Sequence, residues 1–395
     1  MAVMTVPPGR VRLGSDVLLA SSRLRGARVG VVCNHASIDR AFLHIVDRLA
    51  AADDVRLAAI FGPQHGFRSD VQDNMIETPH RDDPHRRVPI YSLYSETREP
   101  TAEMLRGVDA LVIDLQDIGA RIYTYIYTMA NCLRACARHQ VPVLVCDRPN
   151  PIGGIEVEGA RLVPGFESFV GQFPIPMRHG MTIAELARLF NEAFELRAPL
   201  EVVPMEGWRR DMYADATGLP WVMPSPNMPT LDTALVYPGT VLFEGVMLSE
   251  GRGTTRPFEL VGAPWIEAER FAREMNALGL PGAFFRPAVF EPTFQKYAKQ
   301  PCGGCQIHVT DRTAFKPMLT GVALIHMFRT FDAAKFAWRQ PPYEYEKEKL
   351  PIDILAGSPA LRGQIESGMA PQAIADSWRG EEEEFVRSRA AYLLY

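Results

Sequence analysis

A chain of 395 residues is long enough to bury two substantial cores. Its 42 Lys and Arg against 47 Asp and Glu give a formal charge of −5, so no basic surplus points to nucleic acid. No apolar stretch is long enough to span a bilayer, and residues 1–10 lack a charged start followed by an apolar segment, so the chain reads as soluble and cytoplasmic, with no membrane partner.

The N-terminal half alternates strand and helix patterns. Residues 27–33 (Ala-Arg-Val-Gly-Val-Val-Cys) read as a strand, 41–50 as a helix with an apolar stripe, and 55–61 as the next strand. Residues 88–94 form a short strand whose Pro89 places it near an edge. A short helix is expected over 101–107, a buried strand from Leu111 to Asp114, a helix over 125–139 and a strand over 141–146. This rhythm predicts an α/β fold with a mostly parallel sheet flanked by helices.

The strand ends carry the chemistry. They deliver Asn34, then Gln64 and His65, then Asp114, Gln116 and Asp117, then Asp147, Arg148 and Asn150. Ligands of open α/β sheets bind beyond the carboxyl ends of the strands, so one cleft lined by Asn34, Gln64, His65, Asp114, Asp117, Asp147 and Arg148 is expected. The central strand leads on to Gly119, Arg121, Tyr123 and Tyr125, polar groups that are costly to bury unless something engages them. Neither a Gly-x-Gly-x-x-Gly nor a Walker lysine motif follows a strand, so no nucleotide and no other cofactor is expected.

Further along, Glu158 precedes Arg178 and His179, which stand just ahead of a helix opened by a capping box, Thr182 with Glu185, and running to about residue 197. A strand over 200–204 and an extended proline-studded segment, 221–238, follow; the latter contains Asn227 and marks a domain boundary. The domains are thus residues 1–235 and 236–395. Roofing the cleft is a glycine-rich loop, 243–256, with Glu244, Glu250, Arg252 and Arg256. Helices are expected over 322–336, from Pro351 and over 378–395.

Six cysteines suit a reducing compartment. Cys302-Gly-Gly-Cys305 has only His308 nearby, short of the four ligands of a zinc site, so a Gly-Gly hairpin turn is expected and no metal.

Over nearly its whole length the chain resembles the exo-β-N-acetylmuramidase family. The resemblance is carried by Phe61-Gly-Pro-Gln-His-Gly66, Asp114-Leu-Gln-Asp-Ile-Gly119 with Arg121 and Tyr123, Asp147-Arg-Pro-Asn-Pro151, Pro176-Met-Arg-His-Gly-Met-Thr182, Pro224-Ser-Pro-Asn-Met-Pro229 and Glu250-Gly-Arg-Gly-Thr-Thr255. It implies a Rossmann-like N-terminal domain, a smaller α+β C-terminal domain closing a cleft, and release of N-acetylmuramic acid from the non-reducing end of peptidoglycan fragments. Gln64 stands where the family commonly has Glu, a leading candidate for the catalytic acid. Gln has no titratable proton, so the acid is another carboxylate, or the substrate is a different acidic amino sugar, or the protein binds amino sugars without cleaving them. Asp114 and Asp117 are the closest carboxylate pair, Arg121 is placed to hold one ionised, and His65 is placed to shuttle protons. Arg178 or Arg252 is suited to the lactyl carboxylate that distinguishes muramic acid from glucosamine.

Overall fold

Strands that read as unbroken apolar runs are those buried on both faces, and three such runs form the centre of the molecule: β1 (Arg28–Cys33), β5 (Ala110–Asp114) and β6 (Val143–Cys146). The structure is a computed structural model and describes residues 10–73 and 75–395. The expectation about an export signal rests on residues largely outside that range. With β2 (Arg56–Gly62), β3 (Arg81–Asp82), β4 (Pro89–Ser92) and β7 (Leu200–Val203), these runs build a seven-stranded sheet of order β3-β4-β2-β1-β5-β6-β7. All its pairings are parallel except β3 with β4. The chain builds outward from β1 to β2 and β4, then returns to place β5 on the other side of β1. The sheet's switch point therefore lies between β1 and β5.

Helices α1 (Gly14–Leu19) and α2 (Ile45–Ala50) cover one face; α3 (Tyr125–His139) and α4 (Ile183–Glu192) cover the other. The capping box forms as expected: the Thr182 hydroxyl accepts from the Glu185 amide, and the Glu185 carboxylate accepts from the Thr182 amide. After α5 (Leu231–Thr240) come β8 (Leu260–Ala263), α6 (Ala268–Ala277), β9 (Ala283–Phe290) and β10 (Cys302–Val309). Then follow α7 (Pro317–Phe331), α8 (Pro351–Ala356), α9 (Ala360–Glu366), α10 (Pro371–Asp376) and α11 (Arg379–Arg389). Strands β8, β10 and β9 form a separate antiparallel sheet with β10 central.

One apolar cluster joins the two parts, running from Leu111, Ile113 and Ala130 to Val236, Val322, Phe328 and Ile352. The expected boundary at 235/236 falls inside α5, which packs on α7.

Several local expectations are corrected. Residues 101–107 form turns rather than a helix, and α2 starts only at Ile45 because Phe42 takes a left-handed backbone (φ 62°). The segment 221–238 is not extended throughout, since residues 231–238 lie in α5, with Pro238 inside the helix. α4 ends at Glu192, and α7 is shifted toward the N-terminus of its expected span. Cys302 to Cys305 is no turn either. Gly303 and Gly304 lie inside β10, where an added Cβ would sit 2.0 Å from the Ile266 carbonyl oxygen and 1.9 Å from that of Val261. The glycines let neighbouring backbone press against the central strand.

Candidate active site

Strand β2 ends at Gly62, and the next turn presents Gln64 and His65. His65 holds a left-handed backbone (φ 69°), an arrangement costly for a non-glycine residue and concentrated at functional sites. Its Nδ1 lies 2.8 Å from the Val71 carbonyl oxygen, which can only accept, so Nδ1 carries the proton and Nε2 keeps its lone pair. Burial lowers its pKa to about 4, so the ring is neutral at neutral pH. The Gln64 carbonyl oxygen accepts from the Thr124 hydroxyl at 2.8 Å, which leaves the amide NH2 as the donor. Thr124 is the residue ahead of α3, so the loop after β5 fixes how Gln64 is turned.

The opposite wall comes from the second half of the chain. Arg252 Nη2 donates to Glu244 Oε1 at 2.5 Å, and the Tyr343 hydroxyl donates to Glu244 Oε2 at 2.6 Å. The Arg252 guanidinium and the Tyr343 hydroxyl outweigh burial and hold the Glu244 carboxyl below its ordinary range. Arg252 Nη1 is buried and has no hydrogen-bond partner among the described residues. Next to Tyr343, Glu344 turns its carboxylate inward, where Tyr94 donates to it at 3.2 Å. Asn227 is tied to Gln72, whose amide donates to Asn227 Oδ1 at 3.0 Å.

Gln64, His65, Tyr123, Asn227, Tyr237, Glu244, Arg252 and Glu344 all line one cavity of about 50 Å³, the more enclosed of two spaces that share Glu344. A space of that volume holds a small group rather than a six-membered ring. Glu344 also lines an open cleft of about 560 Å³ with Arg98, Phe169 and Tyr345, so this residue borders both spaces. A third cavity, about 250 Å³ and mostly apolar, lies over the switch point and is lined by Gln116, Arg148 and Trp221.

The single cleft expected from the strand ends is therefore divided, and most of its polar residues engage one another. Arg148 grips Asp114 with two hydrogen bonds, Nε to Oδ1 at 2.6 Å and Nη2 to Oδ2 at 3.0 Å, with both side chains buried. Asp147 accepts from the Thr182 hydroxyl, the Ala184 amide and the Tyr395 hydroxyl at 2.7–3.0 Å, and burial raises its pKa to about 7. Asn34 bonds Ser37 and the Gln116 carbonyl, Gln116 bonds the Asp117 and Pro149 carbonyls, and Asn150 bonds the Met181 carbonyl.

Arg121 does not face the aspartates. Its fully buried guanidinium donates to the carbonyls of Ala160, Ile175 and Leu355, and burial lowers its pKa to about 10. Arg178 pairs with Glu158 at 2.8 Å inside the protein. Glu250 pairs with Lys296 at 2.6 Å. Asp117 accepts from the Gly119 amide at 2.7 Å and lies 3.7 Å from His179 Nε2; burial raises its pKa to about 7 and lowers that of His179 to about 3. Neither lines the enclosed cavity.

Of the expected residues, Gln64, His65, Tyr123, Asn227 and Arg252 meet in that cavity. Glu244 of the roofing loop joins them, as do Tyr237, Tyr343 and Glu344, none of them an expected site residue. A signal for the last pair existed in Pro341-Pro-Tyr-Glu-Tyr345, where an acid sits between two aromatic residues in a stiff stretch.

Residues 29–232 match the N-terminal model, and residues 235–395 the C-terminal model, of exo-β-N-acetylmuramidase NamZ. The chain is 44% identical over 393 residues to the peptidoglycan β-N-acetylmuramidase NamZ of Bacillus subtilis (strain 168), covering 99% of this chain and 93% of that protein. A crystal structure of a DUF1343 family protein from Bacteroides fragilis NCTC 9343 superimposes with a TM-score of 0.89 at 34% identity, covering 98% of this chain and all of that one. A second DUF1343 family protein from that organism gives 0.75 at 27% identity, covering 98% and 99%.

Proposed function

Because the chain belongs to the NamZ exo-β-N-acetylmuramidase family, we propose that it is a glycosidase that removes N-acetylmuramic acid from the non-reducing end of peptidoglycan fragments. The observation that carries this reading is Glu344, an acidic residue at the junction of the enclosed polar cavity and the open cleft, both of which it lines. A scissile bond lying across that junction has its glycosidic oxygen within reach of an acid there, and a glycosidase needs a carboxyl group at that oxygen. Glu344 is the acid in this reading, in the role that Gln64 cannot fill. Substituents of the terminal sugar enter the enclosed cavity. The Gln64 amide donates to one of their acceptors, and His65 Nε2 accepts from a hydroxyl or a water.

Arg252, rather than Arg178, holds the lactyl carboxylate. Arg178 is bound to Glu158 and the Ile152 carbonyl and lies outside the cavity lining, whereas Arg252 lines the cavity and keeps a buried Nη1 without a partner among the described residues. Glu244 is ionised and compensates Arg252, so it is not the proton donor. Asp114, Asp147 and Glu158 hold the framework together, and Asp117 belongs with them. The division at 235/236 puts Gln64 and His65 on one domain and Arg252 and Glu344 on the other.

The cytoplasm suits the six cysteines, all free and buried. Among the described residues no helix is long and apolar enough to cross a membrane. Incubating the protein with the disaccharide N-acetylmuramyl-β-1,4-N-acetylglucosamine tests the activity. Release of free N-acetylmuramic acid, lost in Glu344→Gln, is expected; binding without release would instead make the protein an amino-sugar receptor.

A further inference from the structure

We infer that the open cleft beyond Glu344 is the subsite for the leaving sugar, and that its charge selects an uncharged or cationic hexosamine over an anionic sugar. The inference rests on the proposed muramidase reading and specifies what occupies the other side of the scissile bond.

Three observations converge on it. The first is continuity, since Glu344 lines both spaces, so a ligand cleaved at Glu344 extends into the cleft. The cleft, at about 560 Å³, has room for a hexosamine ring.

The second is a rigid aromatic floor. Tyr345 is 49% exposed, yet it does not hang free. The Arg98 guanidinium carbon lies 4.7 Å from the Tyr345 ring centre and 4.3 Å from that of Tyr94. Glu77 accepts from Arg98 at 3.3 Å and from the Tyr345 hydroxyl at 3.4 Å. Glu344 and Tyr345 both take left-handed backbone (φ 43° and 71°), costly in two successive non-glycine residues and maintained only where surrounding contacts enforce it. The reciprocal amide–carbonyl bonds of Tyr343 and Glu346, 2.9 Å each way, enforce it here. The outcome is a buried carboxylate that accepts from Tyr94 and, one residue on, an aromatic ring held in the cleft. A pyranose presents an apolar face of C–H groups, which such a ring is suited to receive.

The third is an opposition of charge. Besides Glu344, the cleft is lined by Glu77, Glu96, Glu167 and Glu346; Glu77 pairs with Arg98 and Glu346 with Lys349, whereas Glu96 and Glu167 have no salt bridge among the described residues. The enclosed cavity has the Arg252 Nη1 donor. An alternating glycan of muramic acid and glucosamine is anionic on one ring type only. Lying across the junction, it is favoured in one register, with the lactyl carboxylate inward and the glucosamine outward. The opposite register sets a carboxylate against the acidic rim.

The test follows inhibition of 4-nitrophenyl β-N-acetylmuramide hydrolysis by free monosaccharides, together with Michaelis parameters for the disaccharide. N-acetylglucosamine and glucosamine are expected to inhibit, and glucuronic acid is not. Tyr345→Ala should raise both the N-acetylglucosamine inhibition constant and the disaccharide KM about five- to tenfold, with Tyr345→Phe restoring both. Glu96→Gln with Glu167→Gln should admit glucuronic acid. Unchanged inhibition and KM in Tyr345→Ala, or equal inhibition by glucuronic acid and glucosamine in the wild type, overturns the inference. Should the wild type cleave neither substrate, the muramidase reading fails on its own. Calorimetric binding of the disaccharide to wild type and Tyr345→Ala then decides the cleft: weaker binding in the variant supports it and equal binding overturns it.

Discussion

Arg252 donates to Glu244 through Nη2 at 2.5 Å while Nη1 of the same guanidinium is buried with no partner among the described residues. A buried donor left unpaired costs free energy unless a ligand satisfies it. Compensation by Glu244 and Glu250 keeps the cation in place, and the free nitrogen gives it a task.

Arg252→Lys keeps the charge and loses the second nitrogen of the guanidinium fork, so the variant should stay folded and lose discrimination. Its kcat/KM on a β-N-acetylmuramide should fall about 10- to 100-fold, as expected for losing a charge-assisted contact, while any residual activity on the matching N-acetylglucosaminide stays constant. Equal losses on the two substrates would show that Arg252 supports the fold of the cavity and does not read the lactyl group.

Gln64→Glu places a carboxylate in the same cavity as Glu344. A neighbouring anion disfavours ionisation, so the pKa of Glu344 should rise. A general acid works in its protonated form, and the alkaline limb of the pH–rate profile should therefore move to higher pH. Glu344→Gln in either background should cost about 10²–10⁴-fold, the usual contribution of a general acid. A Gln64→Glu variant that stays fully active without Glu344 would return the acid's role to position 64.

The sheet and its helices were legible because apolar runs of four to seven residues alternate with helical stripes, and burial enforces both patterns. What sequence could not say was which polar residues are spent on each other. Asp114 and Arg148 stand 34 positions apart and close a buried pair; Asp147 is consumed by a helix start and by Tyr395, 248 residues away. Polar groups at strand ends look alike whether they face a ligand or one another. Glu344 was hidden for a different reason, since its direction depends on left-handed backbone at two non-glycine residues, which composition does not announce. The Cys-Gly-Gly-Cys stretch misled because Gly-Gly usually marks a turn, and here tight strand packing requires it.

The Asp114–Arg148 pair should prove structural. Asp114→Asn leaves a buried guanidinium without its counter-charge, a change that commonly costs about 3–5 kcal/mol. Urea denaturation should show that loss, while activity per folded molecule remains near wild type. A folded, stable and inactive Asp114→Asn protein would reinstate Asp114 in the chemistry.

Asp117 offers a test in which stability and activity separate. Burial raises its pKa to about 7 from an ordinary value near 4, so the folded protein retains a proton that the unfolded chain releases between those values. Its contribution is present below about pH 4 and is lost as pH rises toward 7. His65 and His179 act in the opposite sense. With pKa values lowered to about 4 and 3, their burial is unopposed above about pH 6.5 and is penalised as pH falls and the unfolded chain takes up protons. Asp147, raised to about 7 in the same way, adds a second falling slope, so two carboxyl groups offset the two histidines and wild-type stability should vary little between pH 4.5 and 6.5. Asp117→Asn removes the aspartate's share and resembles its protonated form. The variant should gain on wild type by a few kcal/mol as pH rises from 5 to 8, about 1.4 kcal/mol for each tenfold difference in proton affinity between the folded and unfolded chains. Since Asp117 lies outside the enclosed cavity, turnover of the disaccharide should stay within about threefold of wild type. Urea midpoints at the two pH values, with the slope of the transition checked for constancy, measure the first effect. A stability difference that is the same at pH 5 and pH 8, together with lost turnover, would mean that Asp117 is ionised in the folded protein and belongs to the catalytic centre.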